Sequence, residues 1–282
     1  MKVKYRISIL ALCLLPGVSS AGILDTALRF WSFDNTLVDS VAGIGATTRS
    51  WTSGYAEDRN GNAAGALNLG GDLDAVLVNS ATDLLPLANY SISLWFNMNA
   101  HNSAGGRSQL FDTRDGSNIE RDSLASFIDN TANLNSNDGS NPQDGWLGTF
   151  SAQRIPLTEA NNQTWHHLLF STTSTTQSIY YNGQIDPVSF VNYGSGSPLN
   201  PAILNTGIVF GDKGNDLGTG FNFNGSLDDI ALFDRALDGS DAASLFSAPA
   251  SASVSAPSTL LLMLSAAGLW RVKRRRVSTP LA

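Results

Sequence analysis

The stretch SISLWFNM, residues 91–98, alternates between two kinds of side chain. Every second residue is a large apolar one, and together they occupy one side of an extended chain: Ile92, Leu94 and Phe96. The opposite side carries two serines and Trp95. A period of two is typical of a β-strand that turns one face to a core. The stretch therefore predicts a strand.

Similar short segments lie on both sides of this stretch, separated by Gly, Asn, Asp and Ser. The predicted strands cover residues 27–33, 66–69, 74–78, 91–98, 108–112, 123–128, 145–150, 165–172, 178–184, 207–211 and 226–233. Asn182-Gly183 indicates a hairpin, because both residues tolerate a positive φ. Short strands at this spacing predict an all-β fold, an antiparallel sandwich.

The remaining segments predict one helix and two irregular regions. A short helix is predicted close behind the last strand, with Ser240 as its N-cap and Asp241 in its first turn. The polar residues 131–145 predict a long surface loop. Residues 247–256 predict a flexible linker, so that the folded domain spans residues 22–246.

The order of these pieces resembles the laminin G-like (concanavalin A-like) jelly-roll family, over most of residues 27–246. Six short motifs follow each other as in that family: residues 31–43, 65–76, 92–96, 165–167, 179–183 and 223–230. The resemblance implies an antiparallel jelly-roll sandwich. It also implies relatives of two kinds, because the fold is used by binding modules and by glycosidases.

The glycosidases of this fold carry the order Glu-x-Asp-x-x-Glu on one strand, so that two carboxylates face the sugar. The three glutamates here are far apart in sequence: Glu57, Glu120 and Glu159. Behind Glu120 and Asp122, Ala125 stands where the second glutamate would be needed. We therefore expect no enzyme of that kind, although catalysis by an aspartate pair stays open.

Two adjacent histidines follow Trp165 on a predicted strand. Because neighbouring strand residues point to opposite faces, His166 and His167 cannot easily bind one metal ion together. We expect one of them in the core and the other on the surface.

A structural calcium ion is a further expectation. The opening and closing motifs carry two aspartates each, Asp34 and Asp39 in the first and Asp228 and Asp229 in the last. In the jelly-roll topology these strands are neighbours, and Ca²⁺ prefers carboxylate and carbonyl oxygens, the latter including that of Gly71. Strand alternation places Asp228 and Asp229 on opposite faces, so one of them would ligate. The alternative is that the aspartates cap turns and hold the first and last strands together.

Sugar-binding sites combine exposed aromatic rings with polar neighbours. Trp51, Tyr55 and Trp146 lie in polar, loop-like surroundings and are the candidate ligand-binding residues. The alternative is that they pack in the core, as many aromatic residues of β-sandwiches do.

The N-terminus predicts export. Residues 1–21 open with three basic residues, continue with an apolar run from Ile7 to Leu15, and end in small residues before Ala21. This is the layout of a secretory signal peptide with cleavage after Ala21. The run is shorter than the roughly 20 residues that a membrane span needs.

The C-terminus carries an apolar run from Leu260 to Trp270, followed by a basic cluster that includes Arg274, Arg275 and Arg276. The tail, residues 257–282, resembles the PEP-CTERM signal that exosortases recognise. Pro257 matches the second proline of that motif, whereas Ser255 and Ala256 replace its first proline and glutamate. The resemblance implies brief anchoring in the inner membrane and processing near Pro257, at the surface of a Gram-negative bacterium.

The charge distribution excludes nucleic acids as partners. Between the two terminal signals, residues 22–256 contain nine basic and all 24 acidic residues, a net charge of −15. Such a surface repels polyanions. The sequence thus predicts a surface-sorted module, without enzymatic activity, that binds a polysaccharide or extracellular matrix. The alternatives are a structural matrix protein without a ligand site and a hydrolase that uses an aspartate pair.

Overall fold

The computed structural model describes residues 22–70, 73–78, 89–100, 107–112, 125–129, 133–137, 155–156, 163–173, 175–187, 189–192, 207–212 and 222–248. The predicted signal peptide, the predicted strand at 145–150 and the C-terminal tail lie outside the described residues. The chain forms fifteen described strands, a 3-10 turn at Ile23–Thr26 and one described α-helix, α1 (Gly239–Ser247). The strands are β1 (Arg29–Trp31), β2 (Thr47–Arg49), β3 (Tyr55–Ala56), β4 (Ala66–Gly70), β5 (Ala75–Val78), β6 (Tyr90–Ala100), β7 (Arg107–Asp112), β8 (Ala125–Asp129), β9 (Asn133–Asn137), β10 (Ile155–Pro156), β11 (His166–Thr172), β12 (Thr176–Tyr181), β13 (Ser189–Asn192), β14 (Ile208–Phe210) and β15 (Asn224–Phe233).

The strands form two antiparallel sheets. The first sheet has the order β13-β12-β11-β6-β15-β4-β3, with β1 also paired to β15. The second sheet has the order β10-β9-β8-β7-β14-β5-β2. Strands β11 to β13 and strands β7 to β10 lie beside their neighbours in sequence, whereas β15 and β14 pair with strands that are distant in sequence, as in a jelly roll. The first and last strands, β1 and β15, are adjacent. This arrangement confirms the predicted all-β sandwich and the expected pairing of the opening and closing motifs.

The alternation in β6 matches its prediction. Ile92, Leu94 and Phe96 are buried in the core that the two sheets enclose. The other face of β6 points outward, where Ser91 accepts a hydrogen bond from the backbone N–H of Leu237. This outer face of the first sheet is covered by α1 and the 3-10 turn, through a second apolar cluster that includes Leu245. The first sheet is therefore buried on both faces along part of its surface.

The backbone differs from the prediction in several strands and in one helix cap. Four short strands were not predicted: β2, β3, β10 and β13. Residues 133–137 form β9, which pairs with β8, so the prediction of one continuous loop over 131–145 is wrong. Ladder hydrogen bonds are made by backbone groups, and a polar composition does not prevent them. The N-cap of α1 is Asp238, not Ser240, because its carboxylate accepts from the N–H groups of Ser240 and Asp241. Asp241 closes the capping box in return.

The predicted hairpin at Asn182-Gly183 is present. Both residues have a positive φ, 48° and 69°, and they lead from β12 towards β13. His166 and His167 do point to opposite faces, but both are buried, at 2% and 0% exposure. The expected surface position of one histidine is therefore wrong, since Phe246 of α1 lies over the outer face beside His167.

Candidate functional site

The first candidate site is the edge cluster, defined here as Arg49, Trp51, Ser53, Tyr55, Asn68, Asp74 and Asp212. It lies where the chain crosses from β2, at the edge of the second sheet, to β3, at the edge of the first. The crossing is short, since it spans only residues 50–54 between the two strands. These residues therefore sit at one edge of the sandwich, beside both sheets.

Arg49 and Asp212 form the charged part of the edge cluster. In the second sheet, β2 and β14 both pair with β5, and Arg49 is opposite Ala75. From this position Arg49 reaches across β5 and donates a hydrogen bond to the carboxylate of Asp212. The side chain of Arg49 is 18% exposed and that of Asp212 2% exposed. The pair thus neutralises a buried carboxylate at the edge of the cluster.

Asp74 fixes the turn between β4 and β5. Its Oδ2 accepts hydrogen bonds from the backbone N–H of Gly70 at 2.8 Å and from the hydroxyl of Ser53 at 2.6 Å. Ser53 belongs to the crossing segment, so one carboxylate ties that segment to the β4–β5 turn. The predicted ligand Gly71 lies in this turn but outside the described residues.

Two of the three predicted ligand-binding aromatics come together in the edge cluster. The rings of Trp51 and Tyr55 are 5.3 Å apart and nearly perpendicular, at 84°. The indole N–H of Trp51 donates to the backbone carbonyl of Asn68 at 2.7 Å. Both rings are half-buried and pack against the main core. The third residue, Trp146, lies outside the described residues.

The half-burial of this pair has a chemical consequence. One part of each ring is held rigidly by the core, and burial raises the pKa of the Tyr55 hydroxyl above its ordinary value. The remaining part of each residue is accessible to water. Aromatic surface with convergent polar groups is the arrangement that recognises sugars.

The second candidate site is the Arg59 cluster, defined here as Arg59, Trp95, His167, Asp228, Asp229 and Phe246. It lies on the outer face of the first sheet, beneath the end of α1. A β-bulge interrupts β15 after Asp228, where Asp228 is opposite Trp95 but Ala231 is opposite Ser93. Asp229 has a positive φ of 45°. The prediction that Asp228 and Asp229 point to opposite faces is wrong, because the bulge breaks the alternation.

Both carboxylates of the bulge face one guanidinium. Arg59 Nη1 donates to Asp229 and lies 3.8 Å from Asp228 Oδ2. The guanidinium also stands over the ring of Trp95, 4.3 Å from its centroid. All three charged side chains are at most 7% exposed. The cluster is therefore a buried ion-pair network, of the kind that tolerates no loss of a partner.

The protonation states in the Arg59 cluster follow from its burial. Burial, followed by the charge of Asp229, raises the pKa of Asp228 far above the ordinary value of a carboxyl group. Burial, followed by the charge of Arg59, lowers the pKa of His167. His167 Nε2 is 2.9 Å from the hydroxyl of Ser93. At neutral pH, Asp228 is thus protonated and His167 is uncharged.

The residues expected to bind calcium do not form one ligand set. Asp34 is exposed, whereas Asp39 is fully buried. The carboxylate of Asp39 accepts from the backbone N–H groups of three residues: Phe30, Val41 and Ala42. Asp228 and Asp229 face Arg59. Within the described ranges, no three His, Cys, Asp or Glu side chains are grouped as metal ligands. The aspartates match the alternative role of turn caps and strand ties, and calcium stays a prediction.

Sequence reasoning identified Trp51, Tyr55, Asp228 and Asp229 but missed the arginines that accompany them. Arg59 and Asp229 are 170 positions apart, and Arg49 and Asp212 are 163 apart. One signal was present: the region between the terminal signals has only nine basic residues. An arginine in such an acidic chain is a candidate for pairing with a buried carboxylate.

In the described part of the chain, none of the helices has the length and apolar character that crossing a bilayer requires.

A family model and several solved structures resemble this chain. The laminin G family model described as the concanavalin A-like lectin/glucanases superfamily matches residues 69–243. No curated protein sequence matches. Domain 4 of AbnA, an extracellular arabinanase from Geobacillus stearothermophilus solved with arabinotriose, is 22% identical, with a TM-score of 0.54. That comparison covers 78% of this chain and 97% of the arabinanase domain.

Botulinum neurotoxin binding domains are further structural neighbours. The receptor binding domain of botulinum neurotoxin D is 17% identical with a TM-score of 0.56, and 79% of this chain is covered. The binding domain of neurotoxin DC, solved with rat synaptotagmin II, is 20% identical with a TM-score of 0.54 over 79% of this chain. This chain spans about half the length of these toxin domains, 52% in both cases. At these levels of sequence identity, the similarity to the solved structures shows a shared fold alone.

Proposed function

The chain belongs to the concanavalin A-like lectin/glucanases superfamily, and on that premise we propose that it is an exported, surface-sorted module that binds an extracellular polysaccharide or matrix. The family includes binding proteins and glucanases, so membership leaves both activities open. Structural neighbours include an arabinanase domain in complex with arabinotriose and toxin domains that bind receptors. The choice between binding and catalysis rests on the two clusters.

The pairing of Trp51 with Tyr55 supports binding. The two rings are half-buried at one edge of the sandwich, and their neighbours are polar: Arg49, Ser53, Asn68 and Asp74. The Trp51 ring is oriented by its hydrogen bond to Asn68, so it is preorganised before any ligand arrives. A sugar ring that stacks here would lose little to side-chain ordering.

The aspartate pair offers little support for hydrolysis. Glycosidases need two carboxyl groups that flank a glycosidic bond, and these groups must be open to the sugar. Asp228 is 0% and Asp229 4% exposed, beneath Arg59 and Trp95. We therefore propose a module without catalytic activity of its own.

The test of binding uses the full chain and a panel of neutral and acidic polysaccharides, with arabinotriose as a small probe. We expect Trp51→Ala and Tyr55→Ala to weaken binding at least tenfold, whereas Tyr55→Phe keeps most of it. Ile185→Ala is the control, since Ile185 is an apolar residue with 69% exposure that belongs to neither cluster. Calorimetry or glycan arrays provide the readout.

Three outcomes would contradict the proposal. Binding that survives both alanine substitutions would place the ligand elsewhere. No binding to any polysaccharide by a folded protein would favour the structural matrix protein. Release of oligosaccharides from any polysaccharide by the purified protein would favour the hydrolase.

Surface sorting is the second part of the proposal. It is supported by the N-terminal export pattern and by the apolar and basic tail. The mature protein should begin at Gly22, and surface material should end near Pro257. Changing Arg274, Arg275 and Arg276 to Ser should misdirect the protein without changing its fold, because these residues would act by stopping translocation. An intact Ala282 in surface material, seen by mass spectrometry, would mean that the tail is a plain anchor.

A further inference from the structure

The end of α1 is held by contacts that neither binding nor export explains. The helix lies on the outer face of the first sheet, where Ala242 and Leu245 are buried. Its C-cap is Ala248, the last described residue. Residues 249–282 follow Ala248 in the sequence and lie outside the described residues.

Phe246 is the apolar part of these contacts. Although it is 39% exposed, its ring stacks on Trp95, with centroids 5.3 Å apart and planes at 17°. Gly183 lies directly beneath it: a Cβ at Gly183 would be 2.6 Å from the Cβ of Phe246. Gly183 also has a φ of +69°, a backbone conformation that residues with a side chain rarely adopt. Because Gly183 has no side chain, the connection between β12 and β13 leaves space for Phe246 to pack.

Arg59 is the polar part. Its Nη2 donates to the backbone carbonyl of Ala248 at 2.8 Å. The last carbonyls of a helix have no partner within the helix, and an arginine that satisfies one of them stabilises that end. The other branch of the guanidinium pairs with Asp229. One side chain therefore connects the end of α1 to the central strand β15.

The segment that carries Arg59 is itself rigid. Asp58 Oδ1 accepts from the backbone N–H groups of Asn60 and Asn62, both at 2.8 Å. Its Oδ2 accepts from the side-chain amide of Asn62 at 2.8 Å. These bonds lower the pKa of Asp58, although burial opposes them. Arg59 is thus presented from a fixed turn rather than from a loose loop.

We propose that Arg59 and Phe246 form a latch, which pins the end of α1 to the first sheet and allows α1 to open separately from the two sheets. When the latch opens, α1 leaves its place and the face of Trp95 is uncovered, while the two sheets remain folded.

The latch is tested by amide hydrogen exchange on the full chain, followed in peptides that cover residues 239–248 and residues 91–98. Arg59→Ala alone would remove the cation from the buried carboxylate of Asp229 beside Asp228, so it is combined with Asp228→Asn and Asp229→Asn. We expect this triple variant, and separately Phe246→Ala, to raise exchange in α1 at least tenfold, with the β6 peptide unchanged. The matched control is Arg235→Ala, which removes an exposed contact to Asp241 within the same helix and should leave both peptides unchanged.

Two results would overturn the proposal. Unchanged exchange in α1 for both the triple variant and Phe246→Ala would show that neither group holds the helix. Equal acceleration in α1 and in β6 would show that the contacts stabilise the whole domain and that no separate latch exists. Phe246→Ala keeps the test decisive if the triple variant does not fold, because it introduces no unpaired charge.

Discussion

The edge cluster and the Arg59 cluster contain the same parts but differ in how far their arginines are accessible to water. Each combines an arginine, aspartates and two aromatic rings. In the edge cluster the rings are half-buried and the Arg49 side chain is 18% exposed, whereas the Arg59 side chain is 7% exposed. Residue types alone therefore do not distinguish the proposed binding surface from the buried network. The proposal that the edge cluster binds a ligand rests on exposure, because buried polar groups are available only to each other.

The largest effect is expected from Arg59→Ala. The substitution leaves the buried carboxylate of Asp229 without its cation, which typically costs about 3–5 kcal/mol of the free energy of unfolding. Urea denaturation of the full chain measures this cost. Arg235→Ala, at an exposed ion pair, should cost less than about 1 kcal/mol. Similar losses in the two variants would contradict the assignment of the Arg59 cluster as a structural network.

The next effect is expected in the pH dependence of stability, because two residues of the Arg59 cluster, Asp228 and His167, have strongly shifted pKa values. The pKa of Asp228 is raised to about 9 from 3.8, so the native state keeps a proton that the unfolded state releases. Its contribution is fully present below pH 3.8 and is lost as the pH rises towards 9. The pKa of His167 is lowered to about 3 from 6.5, so its contribution is present above pH 6.5 and is lost as the pH falls towards 3.

Together these two groups predict a plateau between pH 3.8 and 6.5, where their slopes cancel, and a decline on either side. Each slope is at most about 1.4 kcal/mol per pH unit. Melting curves from pH 3 to 9 measure it. Asp228→Asn should remove the alkaline decline, whereas Asp212→Asn, in the edge cluster, should leave it in place. An alkaline decline that persists in Asp228→Asn would place the titrating group elsewhere.

A smaller effect is expected from Arg49→Ala. It removes the arginine that pairs with the buried carboxylate of Asp212, at a cost of about 1–3 kcal/mol. The cost should be less than for Arg59→Ala, since the Arg49 side chain is 18% exposed against 7% for Arg59, so that water can approach through the space of Arg49. Urea denaturation of both variants side by side gives the ranking. A larger loss for Arg49→Ala would reverse the proposed roles of the clusters.

Calcium is expected to have the smallest effect. Asp228 and Asp229 already hold Arg59, which leaves the exposed Asp34 as the most accessible of the predicted carboxylates. A weak site occupied at a concentration equal to its Kd stabilises by about 0.4 kcal/mol. Melting temperatures with calcium and with a chelator, for the wild type and for Asp34→Asn, measure this. A rise of several degrees that is lost in Asp228→Asn would mean that the cation displaces Arg59.

Local sequence predicted much of the architecture. The alternation in residues 91–98 predicted both the strand and the face that meets the core, because side-chain direction in a strand follows from position alone. Asn182-Gly183 predicted its hairpin for a similar reason, since it depends on φ at two residues. The polar composition of residues 131–145 predicted a loop, but backbone pairing with β8 makes β9 a strand. The predicted helix cap was also wrong, because Asp238 and Ser240 can both cap a helix and the structure uses Asp238.

Tertiary structure decided the chemistry of the sites. The bulge turns Asp228 and Asp229 towards one arginine. It depends on the register between β15 and β6, which no local sequence pattern predicts. The burial of His167 depends on a helix nearly 80 residues further along the chain, whose Phe246 packs beside it. The sequence by itself thus determined the longer strands of the first sheet, the face of β6 that meets the core, and the family. Which charged groups meet, and which of them keep contact with water, was decided by long-range packing, because burial belongs to the assembled sheets and not to any segment.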